Sequence, residues 1–271
     1  MAETPLPLLI EPDELESLLG RDDLLVVDLG KASTYRQIHI PGALHLEYGD
    51  IVREKKPSHG LLPDRVTLEQ VFSNAGIGNH VHVIAYDDEG GGNAARLLWT
   101  LETMGHTGCT LLNGGLHAWA NERFPVENRP VSPEAASFSA APTASPVADT
   151  EYIVSQLGDP ETALIDARSA EEYTGARRFS ARGGHIPGAV NFEWTTGMDR
   201  NRNLRMRPTD ELISQLGELG ITQEKQIISY CQTHHRSSYS YWMLRVLDFP
   251  RVRGYPGSWS VWGNRTDTPI A

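Results

Sequence analysis

Length, composition and charge restrict the class of protein that this sequence can encode. The chain has 271 residues and is 39% hydrophobic, which is enough for one large or two ordinary globular domains. Its formal net charge of -11, without a basic block, argues against a nucleic-acid groove, and no apolar stretch approaches the ~20 residues that span a bilayer. Only two cysteines are present, and the first residues lack the positive segment of a signal peptide. We therefore predict a cytoplasmic protein with free thiols and without a membrane or nucleic-acid partner.

The first half of the chain alternates short apolar runs with helical patterns. The helical patterns are "DELESLL", "TLEQVFSNAG" and "AARLLWTLETMG". The strand-like runs are "LLVVD", which ends at Asp28, "HVIAY", which ends at Tyr86, and "GCTLLN", which places Cys109 in the core. Short strands separated by helices of about ten residues predict a mainly parallel sheet with helices on both faces, which is the α/β fold class.

A proline-rich segment separates the first half from a second copy of the same pattern. Residues 128–148 are rich in Pro, Ala and Ser and show no sustained periodicity, which is typical of a linker. The segment "HIPGALHLEY" at 39–48 recurs as "HIPGAVNFEW" at 185–194, and the flanking segments keep their order. The sequence therefore predicts two tandem α/β domains, at residues 1–127 and 149–271.

A cysteine lies between a strand and a helix in the second copy, in the segment "YCQTHHRSSYSYW". Cys231 follows an apolar run, and ligand sites of parallel sheets lie beyond the carboxyl ends of the strands. Backbone N–H groups of residues 232–237 can curl around its sulfur, and the positive end of the next helix adds to their field. Both effects favour a reactive thiolate. The competing interpretation, a small buried hydrophobe, leaves the polar residues after Cys231 unexplained.

The side chains that follow Cys231 indicate an anionic substrate. Arg236 and, when protonated, His234 or His235 supply positive charge. The other polar residues of this loop are Gln232, Thr233 and Ser237. Adjacent histidines are awkward ligands for a single ion, and no other His or Cys spacing of a metal site lies nearby, so we predict no metal.

The first copy carries a different loop at the equivalent position. Asp87 stands in place of Cys231, and Gly92 in place of Arg236, because "DDEGGGN" replaces "CQTHHRS". The acidic residues of this loop would repel phosphate, and no Gly-Lys-Ser/Thr follows. We therefore predict a non-catalytic first copy. His39 and His185 begin "HIPGA" in both copies, although only one copy has a nucleophile, so we interpret them as turn anchors.

These features resemble the two-domain rhodaneses, the thiosulfate:cyanide sulfurtransferases. The resemblance rests on tandem "HIPGA" domains with a cysteine loop in the second alone, and "CQTHHR" is similar to the loop of a bacterial subgroup. It implies two rhodanese-like domains and a persulfide on Cys231, taken from a small-molecule sulfane donor and passed to a nucleophilic acceptor. Cyanide, a thiol or a protein are the acceptors left open. Because one activated cysteine suffices for this chemistry, we predict no cofactor.

The sequence departs from the family pattern in ways that concern the sulfur donor. Thiosulfate enzymes of the mammalian type have a C-R-K-G-V-T loop and 3-mercaptopyruvate enzymes a C-G-S-G-V-T loop, whereas this loop has no Lys and carries Arg236 at the hydroxyl position. Glu172 replaces an arginine of the family, and Arg168 is the surviving match in that segment. We expect Arg168 and the loop to bind thiosulfate, with 3-mercaptopyruvate as the alternative donor.

Two other functions agree less well with the sequence. A cysteine phosphatase or arsenate reductase also ends its cysteine loop in Arg before a helix, but with the Arg six residues after the Cys rather than five. A non-enzymatic binding module fits the first copy alone. Trp194, which follows the second "HIPGA" segment, fits either a cleft wall or general packing.

Overall fold

The computed structural model describes residues 6–143 and 145–271. The first half contains β1 (Leu9–Ile10), α1 (Pro12–Leu18), β2 (Leu24–Asp28), α2 (Ala32–Tyr35), β3 (Leu44–His45), β4 (Arg53–Lys55), β5 (Ser58–Leu61), α3 (Arg65–Asn74), β6 (His82–Tyr86), α4 (Gly92–Thr103), β7 (Cys109–Leu112) and α5 (Gly115–Asn121). The second half contains α6 (Thr150–Gln156), β8 (Thr162–Asp166), α7 (Ala170–Tyr173), β9 (Ala189–Asn191), β10 (Met198–Asp199), β11 (Arg205–Met206), α8 (Thr209–Glu218), β12 (Gln226–Tyr230), α9 (Arg236–Val246), β13 (Val252–Gly254) and α10 (Ser258–Trp262). None of the helices in these described ranges is long and apolar enough to cross a membrane.

The chain forms two compact units, each with its own sheet. The first unit contains residues 6–51, Pro63–Thr143 and Asp199–Met206. The second unit contains Val52–Leu62, residues 145–198 and Arg207–Ala271. Each unit therefore includes one short segment from the opposite half of the chain. The continuous ranges 1–127 and 149–271 stay a prediction for the domain boundaries.

A parallel sheet with the strand order β1-β7-β6-β2-β3 forms the centre of the first unit. Its core includes Val26, Ile84 and Trp119, which are buried and packed together. Residues 128–143, from the predicted linker, lie outside helices and strands, and the Ala136 N–H donates to the Ser73 carbonyl at 2.9 Å. This part of the linker thus packs on the first unit.

The second unit has a parallel sheet with the order β13-β12-β8-β9, in which β12 is central. The register pairs Tyr230, the last residue of β12, with Asp166, the last residue of β8. Ile228 and Trp262 pack into the core of this unit. Because both strands end at the same level, residue 231 emerges at the carboxyl edge of the sheet.

The "HIPGA" histidines anchor equivalent turns in both units. The ring of His39 stacks on Tyr35 with centroids 3.9 Å apart, and the ring of His185 stacks on Tyr173 at 3.7 Å. The Nδ1 atom of each histidine lies within hydrogen-bond distance of the tyrosine carbonyl, at 2.6 and 3.0 Å. Two α/β units with parallel sheets confirm the fold class predicted from the sequence.

Candidate active site

Cys231 follows β12 directly, and α10 holds its backbone on both sides of the residue. The Cys231 N–H donates to Ser258 Oγ at 3.2 Å, and the Trp259 N–H donates to the Cys231 carbonyl at 2.9 Å. The thiol is reduced and fully buried. Its position is therefore set by the sheet and by the first turn of α10.

The surroundings of Cys231 favour its thiolate. Burial raises the pKa of the thiol, but the charge of Arg236 and hydrogen bonds from Ser237 Oγ and from the N–H groups of Ser237 and Thr233 outweigh it. The net pKa lies below the ordinary value of a cysteine. A buried sulfur with a lowered pKa and converging donors is a competent nucleophile.

The first residues of the loop, Gln232 and Thr233, are supported from outside the loop. Gln232 Nε2 donates to Ser180 Oγ at 3.1 Å. Gly60, on β5, has a φ of +71°, and a Cβ there would lie 2.3 Å from the Thr233 carbonyl oxygen. The hairpin of β4 and β5 thus packs against the loop so closely that only glycine fits at residue 60.

The two loop histidines occupy different environments. His234 is buried and has a left-handed φ of 55°, and its Nδ1 lies 2.8 Å from Ser237 Oγ. It therefore orients the hydroxyl that donates to the sulfur. His235 precedes α9 and is partly exposed, with its ring centroid 5.7 Å from that of Trp194.

Arg236 forms a bidentate ion pair with Glu172. Its two terminal nitrogens donate to the two carboxylate oxygens at 2.6 and 2.8 Å, and the Glu172 side chain is almost buried. Burial raises the pKa of Glu172, but the Arg236 hydrogen bonds and charge bring it below its usual value. Arg236 thus lies beside the thiol with part of its charge compensated.

Arg168 is buried in a second ion pair. Its guanidinium donates to Asp166 at 2.6 Å and to the Gly184 carbonyl at 2.8 Å, and it lies 4.5 Å above the Trp259 ring. Only 1% of the residue is exposed. Nε and one terminal nitrogen of Arg168 are thus engaged by Asp166 and Gly184. Anion binding by Arg168 stays a prediction.

The equivalent loop of the first unit surrounds its own carboxylate. Asp87 is buried and accepts hydrogen bonds from the N–H groups of Glu89, Gly91 and Ala94 at 3.0, 2.7 and 3.0 Å. Burial raises its pKa, since it outweighs these hydrogen bonds. The loop therefore holds a fixed side chain at the place where the second unit holds its thiol.

Sequence analysis did not identify Ser258 or Ser180 as parts of this site. Ser258 has a φ of 45° and corresponds to Gly115, with a φ of 52°, in the first unit. A serine where the repeat has glycine is the one signal in the sequence that could have drawn attention to this position, because glycine adopts a left-handed φ more easily. Ser180 carries no such sign, because its contact with Gln232 depends on the fold.

The metal interpretation of the loop has no further support in the geometry. Within residues 6–143 and 145–271, no group of three or more His, Cys, Asp or Glu side chains could hold a metal ion. The His234 ring is turned toward Ser237, whereas the His235 ring lies near Trp194. The two rings therefore face different neighbours.

The chain has two tandem units, and only the second has a cysteine loop. Comparison with known proteins identifies the family to which this arrangement belongs. The model of the rhodanese-like domain matches residues 11–122 and 149–265, so the chain belongs to the rhodanese family. It is 44% identical to the thiosulfate sulfurtransferase of Azotobacter vinelandii over 98% of this chain and 97% of that protein. It is 43% identical to the thiosulfate sulfurtransferase of Pseudomonas aeruginosa, with the same coverage.

A more distant sequence relative and a solved structure with a similar fold extend the comparison. The 3-mercaptopyruvate sulfurtransferase of Escherichia coli is 30% identical over 90% of this chain and 86% of that protein. The anaerobic ergothioneine biosynthesis enzyme of Chlorobium limicola is 21% identical, and its structure superposes with a TM-score of 0.88 over 97% of this chain and 69% of that one. The family resemblance predicted from the sequence is confirmed, whereas the structural similarity shows the fold alone.

Proposed function

We propose that this chain is a thiosulfate sulfurtransferase that carries the transferred sulfur as a persulfide on Cys231. The observation that supports this function best is the buried thiol with a lowered pKa, surrounded by donors from Thr233 and Ser237. Two relatives at 43 and 44% identity over nearly the whole chain carry that name. The first unit takes no part in the chemistry, because Asp87 fills its loop.

The proposed reaction consists of two displacements at sulfur. The Cys231 thiolate attacks the outer sulfur of thiosulfate, the bond between the two thiosulfate sulfurs breaks, and sulfite leaves with the electron pair. Cyanide or a thiolate then attacks the outer sulfur of the persulfide, and Cys231 leaves as a thiolate. The N–H donors of the loop stabilise the anionic sulfur in both steps, so ping-pong kinetics are expected.

Recognition of the anionic donor is assigned to the loop residues at 232–237. The N–H groups of Thr233 and Ser237 donate to the sulfur, Arg236 supplies charge beside it, and His235 is partly exposed. Gln232 and His234 serve mainly to hold the loop through Ser180 and Ser237. Arg168 is retained as a candidate for donor binding, and its ion pair with Asp166 fixes the position of its guanidinium.

Thiosulfate is proposed as the preferred donor, with 3-mercaptopyruvate as the alternative. Thiosulfate is compact, and the positive charge of Arg236 lies close to Cys231. Glu172 stands where the family has an arginine that a carboxylate could use, and its negative charge disfavours a carboxylate there. Comparing kcat/KM for the two donors tests this preference, and a clear advantage for 3-mercaptopyruvate would reverse it.

The covalent carrier is tested by intact-mass measurement after incubation with thiosulfate. We expect a gain of one sulfur atom in the wild type and in Cys109→Ser, and no gain in Cys231→Ser. Cys109 is the matched control because it is the other buried thiol of the chain. Turnover or sulfur uptake by Cys231→Ser would contradict the mechanism.

The cellular location and the sulfur acceptor follow from the chemistry of the thiol. Cys109 and Cys231 do not pair with each other, and a chain with two unpaired thiols suits the reducing cytoplasm, where we place the protein. Cyanide is the convenient acceptor in the assay, and a cellular thiol or protein is the acceptor in vivo. Mass spectrometry of glutathione after incubation with the persulfide form of the protein would test whether a thiol accepts the sulfur.

A further inference from the structure

An insertion beside the active-site loop distinguishes the second copy from the first. Three residues join Tyr35 to His39 in the first copy, whereas eleven join Tyr173 to His185 in the second. The tyrosine and histidine rings stack in the same way in both units, so the insertion begins and ends at equivalent positions. We name residues 174–184, "TGARRFSARGG", the insertion loop.

The base of the insertion loop is firmly attached to the second unit. Arg182 donates to the Thr268 carbonyl and the Trp262 carbonyl, each at 2.9 Å, and its own N–H donates to the Gly263 carbonyl at 3.0 Å. The Ala181 N–H donates to Asn264 Oδ1 at 2.9 Å. These bonds fix residues 181 and 182 against the end of α10.

The insertion loop also contacts the catalytic loop. Ser180 Oγ accepts a hydrogen bond from Gln232 Nε2 at 3.1 Å and lies 3.1 Å from the Trp259 carbonyl, to which it donates. Gln232 is the neighbour of Cys231, and Trp259 donates to the Cys231 carbonyl. Phe179 therefore directly precedes Ser180, whose side chain contacts the active-site loop.

The tip of the insertion loop presents an aromatic ring and two cations to solvent. Phe179 is 57% exposed, and the Arg177 guanidinium lies 4.9 Å from the centre of its ring. Arg178, between them, is exposed. Exposed aromatic residues and arginines are the types that contribute most to protein–protein binding. Because more than half of the Phe179 side chain is exposed, packing in the hydrophobic core does not explain a phenylalanine at this position.

We propose that the tip formed by Arg177, Arg178 and Phe179 binds an acidic segment of a protein that accepts sulfur from Cys231. This proposal rests on the proposed persulfide function. Cyanide needs no exposed aromatic surface, whereas a protein thiol must extend toward a sulfur that is fully buried. Binding beside the active-site loop would hold the extended segment in place, and the two arginines select negative charge on it.

The transfer to the acceptor is a balanced exchange of one sulfur atom. The acceptor cysteine enters as a thiolate and attacks the outer sulfur of the persulfide. The bond from that sulfur to Cys231 Sγ breaks, and Cys231 leaves as a thiolate. The acceptor then carries the persulfide, and no external oxidant, reductant or proton donor is consumed.

Two synthetic peptides, each with one cysteine, test this proposal. The cysteine is flanked by Asp and Glu in the acidic peptide and by Lys in the basic peptide. Wild-type protein loaded with thiosulfate is mixed with each peptide, and the peptide persulfide is followed by mass. We expect faster transfer to the acidic peptide. Arg178→Glu and Phe179→Ala should each slow that transfer on the order of ten-fold, which corresponds to ~1.4 kcal/mol, and leave discharge to cyanide unchanged.

Matched controls lie on the same unit, away from the insertion loop. Arg251 is exposed just before β13, at the opposite edge of the sheet from Cys231, and Ile213 is 43% exposed on α8. Arg251→Glu and Ile213→Ala should leave transfer to both peptides unchanged. Equal rates for the two peptides, or equal losses with cyanide and with the acidic peptide, would overturn the proposal. A wild type that takes no sulfur from thiosulfate would instead overturn the proposed function.

Discussion

The charge that Arg236 presents to the active site is shared with Glu172. The two residues are 64 positions apart in the sequence, and both oxygens of Glu172 accept from the guanidinium. The charge of Arg236 also lowers the pKa of Cys231. Arg236 therefore interacts with both the Glu172 carboxylate and the Cys231 thiol, and Glu172 compensates part of the charge that acts on the thiol.

Replacing Arg236 is expected to impair sulfur loading more than sulfur discharge. Loss of a charge-assisted hydrogen bond to the departing sulfite costs roughly 1.5–3 kcal/mol, or about ten- to a hundred-fold in the loading rate. Arg236→Ala alone also leaves the almost buried Glu172 carboxylate without its ion-pair partner. The double variant Arg236→Ala/Glu172→Gln is therefore the cleaner test. Stopped-flow fluorescence of the two half-reactions provides the measurement.

Glu172→Gln is the matched single variant for this experiment. It keeps the shape of the side chain and removes its negative charge, so loading by thiosulfate should be retained or improved. Equal losses of loading and discharge in the double variant, with an intact circular dichroism spectrum, would instead make Arg236 a support of the loop. The sulfite-binding role would then pass to His235 and the backbone donors.

At the scale of secondary-structure elements, the active-site loop depends on a hairpin from the other half of the chain. Strand β5 approaches the loop through Gly60, and Ser260 Oγ on α10 donates to the His59 carbonyl at 2.9 Å. The sequence pattern gives no sign of this packing, because it joins residues 59 and 60 to residues more than 170 positions later in the chain. Long-range contacts of this kind depend on the folded chain.

Gly60→Ala is expected to destabilise the second unit and slow persulfide loading. The new methyl group would lie 2.3 Å from the Thr233 carbonyl oxygen at a left-handed φ, so the hairpin or the loop must move. Such strain and overpacking cost on the order of 2–4 kcal/mol. Denaturant unfolding and the loading rate measure the two effects.

Gly217→Ala serves as the control for the Gly60 variant. Gly217 lies within α8, and its new Cβ would meet no atom within 4 Å. Alanine is favoured over glycine inside a helix by roughly 1 kcal/mol, so this variant should be as stable as the wild type or more so. Normal loading by Gly60→Ala would show that the hairpin does not support the catalytic loop.

At the scale of the whole molecule, the sequence identified the fold class and the family and predicted a nucleophile, but it did not indicate the partners of the charged groups. The repeat, the strand ends and the polar residues after Cys231 are local patterns, and they sufficed for the fold class and the family. The pairing of Arg168 with Asp166 could not be predicted from the sequence, because it depends on the orientation of side chains. The Arg236 pair with Glu172 remained hidden for the same reason.

Stability of the first unit should depend on the protonation of Asp28. Burial raises its pKa to about 6, against hydrogen bonds from Tyr86 and Gly30. A carboxyl with a raised pKa in the folded state stabilises the fold at acidic pH, and that contribution is lost as pH rises from about 4 through about 6. The loss amounts to ~3 kcal/mol, at ~1.4 kcal/mol for each unit of pKa.

Asp28→Asn tests this dependence directly. The free energy of unfolding of the variant, relative to the wild type, should increase as pH rises from about 4 to about 7. Asp22→Asn, which replaces an exposed carboxyl in the same unit, should show no such trend. A constant difference between Asp28→Asn and the wild type across this range would contradict the raised pKa.

The carboxyl group of Asp87 has a consequence for what the shape of this loop requires. The loop that stabilises an anionic sulfur contains N–H groups that require an acceptor whether or not catalysis takes place. In the first unit Asp87 supplies that acceptor from within the chain, through three hydrogen bonds. The shape of such a loop can therefore be kept without a cysteine, because a carboxyl side chain satisfies the same kind of donors.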